Sequence, residues 1–129
     1  MPRERFSIIC DDIRFEQGNK VSLIGVYTNG ILVPKFPHLF LKLCLAQQFE
    51  DATNTKKLRC VLLGPKVNVK AEATTQDPSK PVLRVNMAFT NLEVSEEGDY
   101  RFETYFDGDE TPGAITQFYI RLRPELRIV

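Results

Sequence analysis

Residues 83–90 read Leu83-Arg84-Val85-Asn86-Met87-Ala88-Phe89-Thr90, an alternation of large apolar side chains with polar or small ones. Successive side chains of a β-strand point to opposite faces, so a strand with one face on a core and one in water must alternate in this way. The same period of two recurs over residues 66–72 and 116–123. No long stretch carries apolar residues at helical spacing. The sequence therefore predicts an all-β fold of antiparallel strands.

Turn residues separate the alternating segments. Asn29-Gly30 and Asp107-Gly108 supply the positive φ angles that tight hairpins need, and Gly64-Pro65 and Asp77-Pro78 interrupt other segments. Strands are predicted over residues 5–10, 20–27, 38–49, 57–63, 66–72, 81–93, 99–106 and 114–122. Short strands at such spacing are typical of a sandwich or barrel, and we expect one antiparallel β-sandwich of about eight strands over residues 1–129.

The inward-facing positions of the predicted strands define a candidate core. We expect the following residues to meet between two antiparallel sheets: Leu83, Val85, Met87, Phe89, Tyr100, Phe102, Phe118 and Ile120.

The strand over residues 38–49 is apolar on both faces. Alternation assigns its side chains to two sets, Leu39, Leu41, Leu43 and Leu45 on one face and Phe40, Cys44 and Ala46 on the other. A strand of this kind is either covered twice or presents its second face to a partner. We expect loops or the segment 31–34 to cover the second face.

The charge balance and the apolar segments restrict the partners. The chain carries 17 basic and 17 acidic side chains, whereas nucleic-acid binders typically have a basic excess that neutralises phosphates. Residues 1–10 lack the features of a signal peptide. The most apolar stretch, residues 39–46, is far shorter than the about 20 residues of a transmembrane helix. We expect a cytoplasmic protein with neither nucleic acid nor membrane as partner.

Cysteine and histidine are sparse. Cys10, Cys44 and Cys60 lie within apolar, strand-like segments, and His38 is the only histidine. Free cysteine commonly packs as a small hydrophobe, so we expect reduced structural thiols without the paired spacing of a zinc site. An enzyme that uses Cys10 or Cys60 with His38 is one alternative. Cys44 would lie about 20 Å from His38 along an unbroken strand.

Two acidic groups are candidates for ligand chemistry. Asp11 and Asp12 would point to opposite faces of a strand and would not share a substrate, and a turn position in which at least one of them caps backbone amides is favoured. Asp107, Asp109 and Glu110 are too few for a calcium loop, and a solvated hairpin turn is favoured there. Known catalytic and phosphate-binding motifs are missing. We therefore expect no catalytic residues, no cofactor and no bound metal.

Glu96, Gly98 and Tyr100 resemble the corner that leads into strand F of immunoglobulin-like sandwiches. There a tyrosine hydroxyl donates a hydrogen bond to the backbone and fixes the corner. Phe102 stands where immunoglobulin domains have a disulfide cysteine, and the chain has no tryptophan for strand C. The resemblance covers about seven residues and implies an immunoglobulin-like topology.

The segments Phe6–Arg14 and Leu23–Tyr27 resemble the opening of a family of small uncharacterised bacterial proteins. The resemblance carries no known activity. It implies a bacterial or phage origin and a compact β domain.

Without readable chemistry, the leading hypothesis is a non-enzymatic protein-interaction or structural module of bacterial or phage origin. Its partner would be another protein or a second copy of the chain. The first alternative is a small-ligand or carbohydrate-binding sandwich that uses exposed aromatic rings such as Tyr105 and Tyr119. The second alternative is the cysteine-dependent enzyme.

The C-terminal segment Leu122–Val129 carries apolar residues beyond Pro124. Because proline cannot donate a ladder hydrogen bond, Pro124 should end the last strand or confine it to an edge. We expect Leu126 and Ile128 to fold back onto their own sandwich, with addition to the sheet edge of a neighbouring chain as the alternative.

Overall fold

The computed structural model describes residues 2–124, which form nine β-strands and no helix. The strands are β1 Arg3–Glu16, β2 Lys20–Tyr27, β3 Gly30–Val33, β4 His38–Glu50, β5 Lys57–Gly64, β6 Val67–Thr74, β7 Leu83–Val94, β8 Gly98–Phe106 and β9 Ala114–Leu122.

The strands form two sheets that face each other. One sheet has four strands in the order β2-β1-β4-β7, and the other has five in the order β3-β9-β8-β5-β6. Neighbouring strands are antiparallel except β3 and β9, which run parallel. The predicted all-β sandwich is confirmed, with one parallel pair that the sequence does not predict.

β1 and β3 differ most from the predicted strands, whereas the bounds of the others agree within two residues. β1 continues beyond the predicted end at residue 10, because β2 pairs with it as far as Glu16. β3 is absent from the predicted strands because the sequence indicates a hairpin turn at Asn29-Gly30, whereas Gly30 begins a four-residue strand that pairs in parallel with β9. The segment 31–34, predicted as a cover for β4, instead contributes Ile31 and Val33 to the core.

The core between the sheets contains the predicted residues. Seven of them are buried there, namely Val85, Met87, Phe89, Tyr100, Phe102, Phe118 and Ile120, and Leu83 packs half-buried against them. The rings of Phe102 and Phe118 stack at 5.4 Å between centroids, and Phe89 approaches Phe102 at the same separation. Aromatic pairs at this distance add to the stabilisation that burial alone provides.

The predicted faces of β4 are wrong at its N-terminal end. Phe40 is buried in the core together with Leu43, whereas Leu41 is 72% exposed. The register pairs Phe40 with Leu92 and Lys42 with Thr90, and Asn91, which lies between these partners in β7, has φ +52°. This left-handed residue interrupts the alternation of β7. At the same place in both strands, the side chains that point to the core switch between odd-numbered and even-numbered positions. Simple alternation cannot predict such a switch.

A polar link crosses the core between the sheets. Thr104 Oγ1 in β8 donates to Gln47 Oε1 in β4 over 3.1 Å, and Gln47 Nε2 donates to Ser7 Oγ over 3.0 Å. Gln47 and Thr104 are both buried. Because an unpaired buried polar group costs free energy, these hydrogen bonds offset the desolvation of both side chains.

Tyr100 fixes the corner at the start of β8. Its hydroxyl donates to the backbone carbonyl oxygen of Glu96 over 2.6 Å, and the side chain is buried. The ring lies against Gly64, where a Cβ atom would overlap it. The hydrogen bond expected of a tyrosine corner is therefore present.

Leu126 and Ile128 lie outside the described residues.

We predict that Phe89→Ala lowers the free energy of unfolding by about 3–5 kcal/mol, because it removes a buried ring and leaves a cavity between the sheets. Urea denaturation measures the change. The exposed neighbour on the same strand, Thr90→Ala, serves as the control and should change stability by less than about 0.5 kcal/mol. Equal effects at the two positions would contradict the assignment of Phe89 to the core.

We predict that Tyr100→Phe lowers the free energy of unfolding by about 0.5–1.5 kcal/mol with the fold unchanged, because only the hydrogen bond to Glu96 is lost. Urea denaturation gives the magnitude, and circular dichroism tests whether the fold is kept. A variant as stable as the wild type would show that the hydroxyl does not hold the corner.

Candidate functional site

The long hairpin of β1 and β2 leaves the four-stranded sheet part-way along β1. β1 pairs with β4 from Arg3 to Cys10 and with β2 from Ile9 to Glu16. Beyond Cys10, β2 is therefore its only ladder partner. The chain supports this departure at Gly25, which has φ +68° and lies against the Asp11 carboxylate, where a Cβ atom would overlap it. Glycine is the residue that tolerates both conditions.

Apolar side chains of the hairpin lie over the outer face of the four-stranded sheet. Val21 and Leu23 of β2 line a cavity of about 280 Å³ together with Phe6 and Ala46. The second apolar face of β4 is thus covered by the hairpin, and the predicted cover by loops or the segment 31–34 is wrong. The sequence does not predict this because β2 contacts that face only after β1 has diverged from β4.

Polar side chains hold the hairpin at its base. The Tyr27 hydroxyl donates to Asp11 Oδ1. Lys42 Nζ lies 2.7 Å from Asp12 Oδ1, which also accepts from the amide of Ile13 over 2.9 Å. The hydrogen bond from Lys42 lowers the pKa of Asp12, and burial together with Asp11 raises the pKa of Tyr27. The two carboxylates have separate partners. The predicted turn is wrong because β1 continues through both residues, whereas Asp12 does accept from a local backbone amide as predicted.

The hairpin base also covers two thiols that the sequence separates widely. Cys10 and Cys44 are register partners on β1 and β4, and both are buried. Their Sγ atoms lie 3.5 Å and 3.7 Å from the carbonyl oxygens of Asp12 and Asp11, respectively. Burial raises the pKa of both thiols and raises that of Cys60, in the other sheet, to about 12. All three are free cysteines.

His38 and Asp107 have local structural contacts. His38 begins β4, and its ring packs edge-on against Phe40 at 4.5 Å between centroids. Asp107 Oδ1 accepts from the amides of Lys56 and Lys57 over 2.9 Å and 3.1 Å. Within residues 2–124, no group of three or more histidine, cysteine, aspartate or glutamate side chains is arranged to hold a metal ion.

Tyr105 and Tyr119 lie on the outer face of the five-stranded sheet, half-buried under arginine side chains. The guanidinium of Arg59 lies 4.4 Å from the Tyr105 ring centroid, and that of Arg121 lies 4.3 Å from the Tyr119 centroid. Each cation covers one face of its ring, a favourable cation–π arrangement. The rings are less available for stacking on a sugar than the sequence suggests.

A second cavity opens beside the hairpin, at one lateral side of the sandwich. It has a volume of about 450 Å³ and is lined by Phe15 of β1, by Val82 and by the four residues Leu83–Asn86 at the start of β7. Ala73 and Thr74 of β6 line it from the other sheet. It shares Arg84 and Asn86 with the cavity beneath Val21 and Leu23. We call the two cavities together the hairpin groove.

Comparison with known protein families gives one match. Residues 5–121 match the sequence profile described as "Family of unknown function (DUF6941)". The chain belongs to this family. The match covers every strand of the DUF6941 sandwich except the ends of β1 and β9. A comparison with curated proteins found none that matches.

The hairpin groove of this DUF6941 protein is the site that sequence reasoning missed. Its lining comes from parts of the chain that are distant in sequence, namely β1 with β2, β4, β5, and the region from β6 to β7, and no motif marks them. A usable signal was the apolar residue Phe15 between charged and polar neighbours, Arg14 on one side and Glu16-Gln17 on the other. Over residues 2–124 there is also no helix that is long and apolar enough to cross a membrane.

We predict that Gly25→Ala destabilises the DUF6941 sandwich by more than Gly18→Ala does. Both glycines have positive φ, so an alanine at either position costs about 1–2 kcal/mol of backbone strain. Only at Gly25 would the new Cβ also overlap the Asp11 side chain, whereas nothing lies near Gly18. Urea denaturation of the two variants measures the difference.

Asp11→Ala in the Gly25→Ala background should recover part of the loss, because it removes the overlapping carboxylate. Equal destabilisation at Gly18 and Gly25 would contradict the role assigned to the close approach of Asp11.

Proposed function

We propose that this DUF6941 chain is a non-enzymatic protein-interaction module that acts in the cytoplasm as part of a bacterial or phage assembly, and that the hairpin groove is its binding surface. The observation that carries the proposal is the clustering of exposed apolar side chains around this groove. Phe15, Val21, Phe6 and Val82 are all exposed, and all four line it.

Single exposed apolar residues are normal, but a contiguous apolar surface with polar residues at its rim is typical of a binding site. Phe15 is the strongest case because 75% of its side chain is exposed. Removing apolar surface from water against a partner is favourable. These apolar side chains lie outside the core of the protein itself, and binding to another molecule would remove them from water.

Two alternatives have less support. Carbohydrate binding would use Tyr105 and Tyr119, yet each ring has one face under a guanidinium. A cysteine-dependent enzyme needs a thiol with a lowered pKa beside a base. Burial raises the pKa of Cys60 to about 12, and His38 packs against Phe40.

The immunoglobulin-like topology is part of the same proposal. The hydrogen bond from Tyr100 to Glu96 at the start of β8 supports it, as does the strand order β9-β8-β5 in one sheet beside β1-β4-β7 in the other. Folds of this class commonly present loops and edges to partners. The bacterial or phage origin is supported by the resemblance of the segments Phe6–Arg14 and Leu23–Tyr27 to the opening of a family of small bacterial proteins.

We predict that Phe15→Ser abolishes binding of a protein partner while the fold stays intact. The matched control is Leu41→Ser, because Leu41 is 72% exposed but lies on β4 and does not line the groove. Both substitutions should change the free energy of unfolding by less than about 0.5 kcal/mol, since both side chains are largely exposed.

The measurement is quantitative mass spectrometry of proteins retained by immobilised wild type, Phe15→Ser and Leu41→Ser from a lysate of the encoding organism. We expect at least one protein, or the chain itself, to be retained by wild type and Leu41→Ser and lost with Phe15→Ser. Retention that is the same for both variants would refute the groove as the binding surface.

A further inference from the structure

Three cations surround the hairpin groove without a carboxylate partner in the described part of the chain. Lys20 lines the cavity beneath Val21, Lys80 lines the cavity beside Phe15, and Arg84 lines both. None of the three forms an ion pair with any acid among residues 2–124. Arg84 uses its Nε to donate to Gln48 Oε1 over 3.2 Å.

The acid that lines the groove, Asp77, has its own partner. Its Oδ1 accepts from the amide of Ser79 over 3.1 Å and from the Ser79 hydroxyl over 2.5 Å. These hydrogen bonds lower the pKa of Asp77, with a smaller contribution from the nearby Lys80. Against three cations, this one carboxylate leaves the groove with a net positive charge.

The groove follows the free edge of a strand. The four consecutive residues Leu83–Asn86 line the same cavity, although Val85 points to the core and Arg84 and Asn86 point outward. Consecutive residues on opposite faces can line one cavity only when that cavity runs along the strand edge. β7 is the last strand of its sheet, so its outer backbone groups have no ladder partner among residues 2–124.

A buried hydroxyl at the same place also lacks a partner. Thr75 Oγ1 is fully buried and makes no hydrogen bond with the described residues, and Thr75 lines the cavity beside Phe15. Buried polar atoms in folded proteins are almost always hydrogen-bonded. Because the oxygen itself has no exposed surface, a ligand in the cavity reaches it only after the Thr75 side chain rotates.

We infer that the hairpin groove binds an extended segment of a partner protein in which apolar residues alternate with acidic ones. The inference rests on the proposed function and names the partner class for the same surface. The segment adds as a strand to the edge of β7, where backbone hydrogen bonds provide affinity. Its apolar side chains contact Phe15 and Val82, and its carboxylates pair with Lys80 and Arg84.

The test uses a displayed library of random peptides selected on the wild-type chain, followed by fluorescence anisotropy of the enriched peptides. We expect enrichment of peptides with aspartate or glutamate at every second position between apolar residues. Lys80→Glu and Arg84→Glu should each weaken binding by about tenfold or more and reduce its dependence on salt. Lys70→Glu, an exposed lysine of β6 outside the groove lining, is the matched control and should bind normally.

Strand addition has its own readout. Methylation of alternate backbone nitrogens of an enriched peptide should abolish binding in one register and spare it in the other, because only alternate amides of a strand face β7. Among Leu83–Asn86, hydrogen exchange should slow at the alternate amides that face the free edge when the unmodified peptide is bound, and stay unchanged at those that face β4. Circular dichroism and urea midpoints of the charge variants check that their folds are kept.

The outcomes separate this inference from the proposed function. Peptides that lack acidic residues, or that bind Arg84→Glu as tightly as wild type, would overturn the acidic class while protein binding sensitive to Phe15→Ser still stands. If the peptide selection enriches no sequence while the immobilised chain still retains a folded protein, strand addition is overturned. A wild-type dimer that Arg84→Glu dissociates would make a second copy the occupant and overturn the inference. If neither the binding of peptides nor the retention of proteins depends on Phe15, the proposed function itself is refuted.

Discussion

The divergence of β1 from β4 at Cys10 determines most of what distinguishes this sandwich. Up to that residue β1 is an ordinary member of the four-stranded sheet, and beyond it β1 pairs only with β2. A two-stranded ribbon is marginally stable alone, so it must pack against something. It packs over the outer face of β4, buries Cys44 and Ala46, and leaves Phe15 exposed beside the start of β7.

The sequence predicts those parts of the fold that depend on local alternation. Strands β2 and β9 have the predicted bounds, and the core residues around Phe89 and Phe102 are as predicted, because burial of one face imposes a period of two. It fails at Asn91, where a left-handed residue interrupts the alternation of β7. Asparagine does not signal such an interruption by itself, since it is also common in turns.

The candidate site could not be predicted for a different physical reason. Its lining comes from β1, β2, β4, β5, β6, β7 and the loop between the last two strands. These segments meet because the hairpin folds back and because two edge strands flank one open side. By contrast, the residues with recognisable chemistry have contacts within the fold. His38 packs on Phe40, Asp107 accepts backbone amides, and the thiols of Cys10 and Cys44 are buried under the hairpin.

The polar link from Thr104 to Gln47 has a consequence for how the two sheets are aligned. Apolar side chains tolerate sliding of one layer over the other, because dispersion and burial have little directionality. A buried hydrogen bond between the layers is directional, and a shift of either sheet would leave two desolvated polar groups unpaired. The bond therefore favours one relative placement of the two sheets. The same placement determines the width of the open side between β6 and β7.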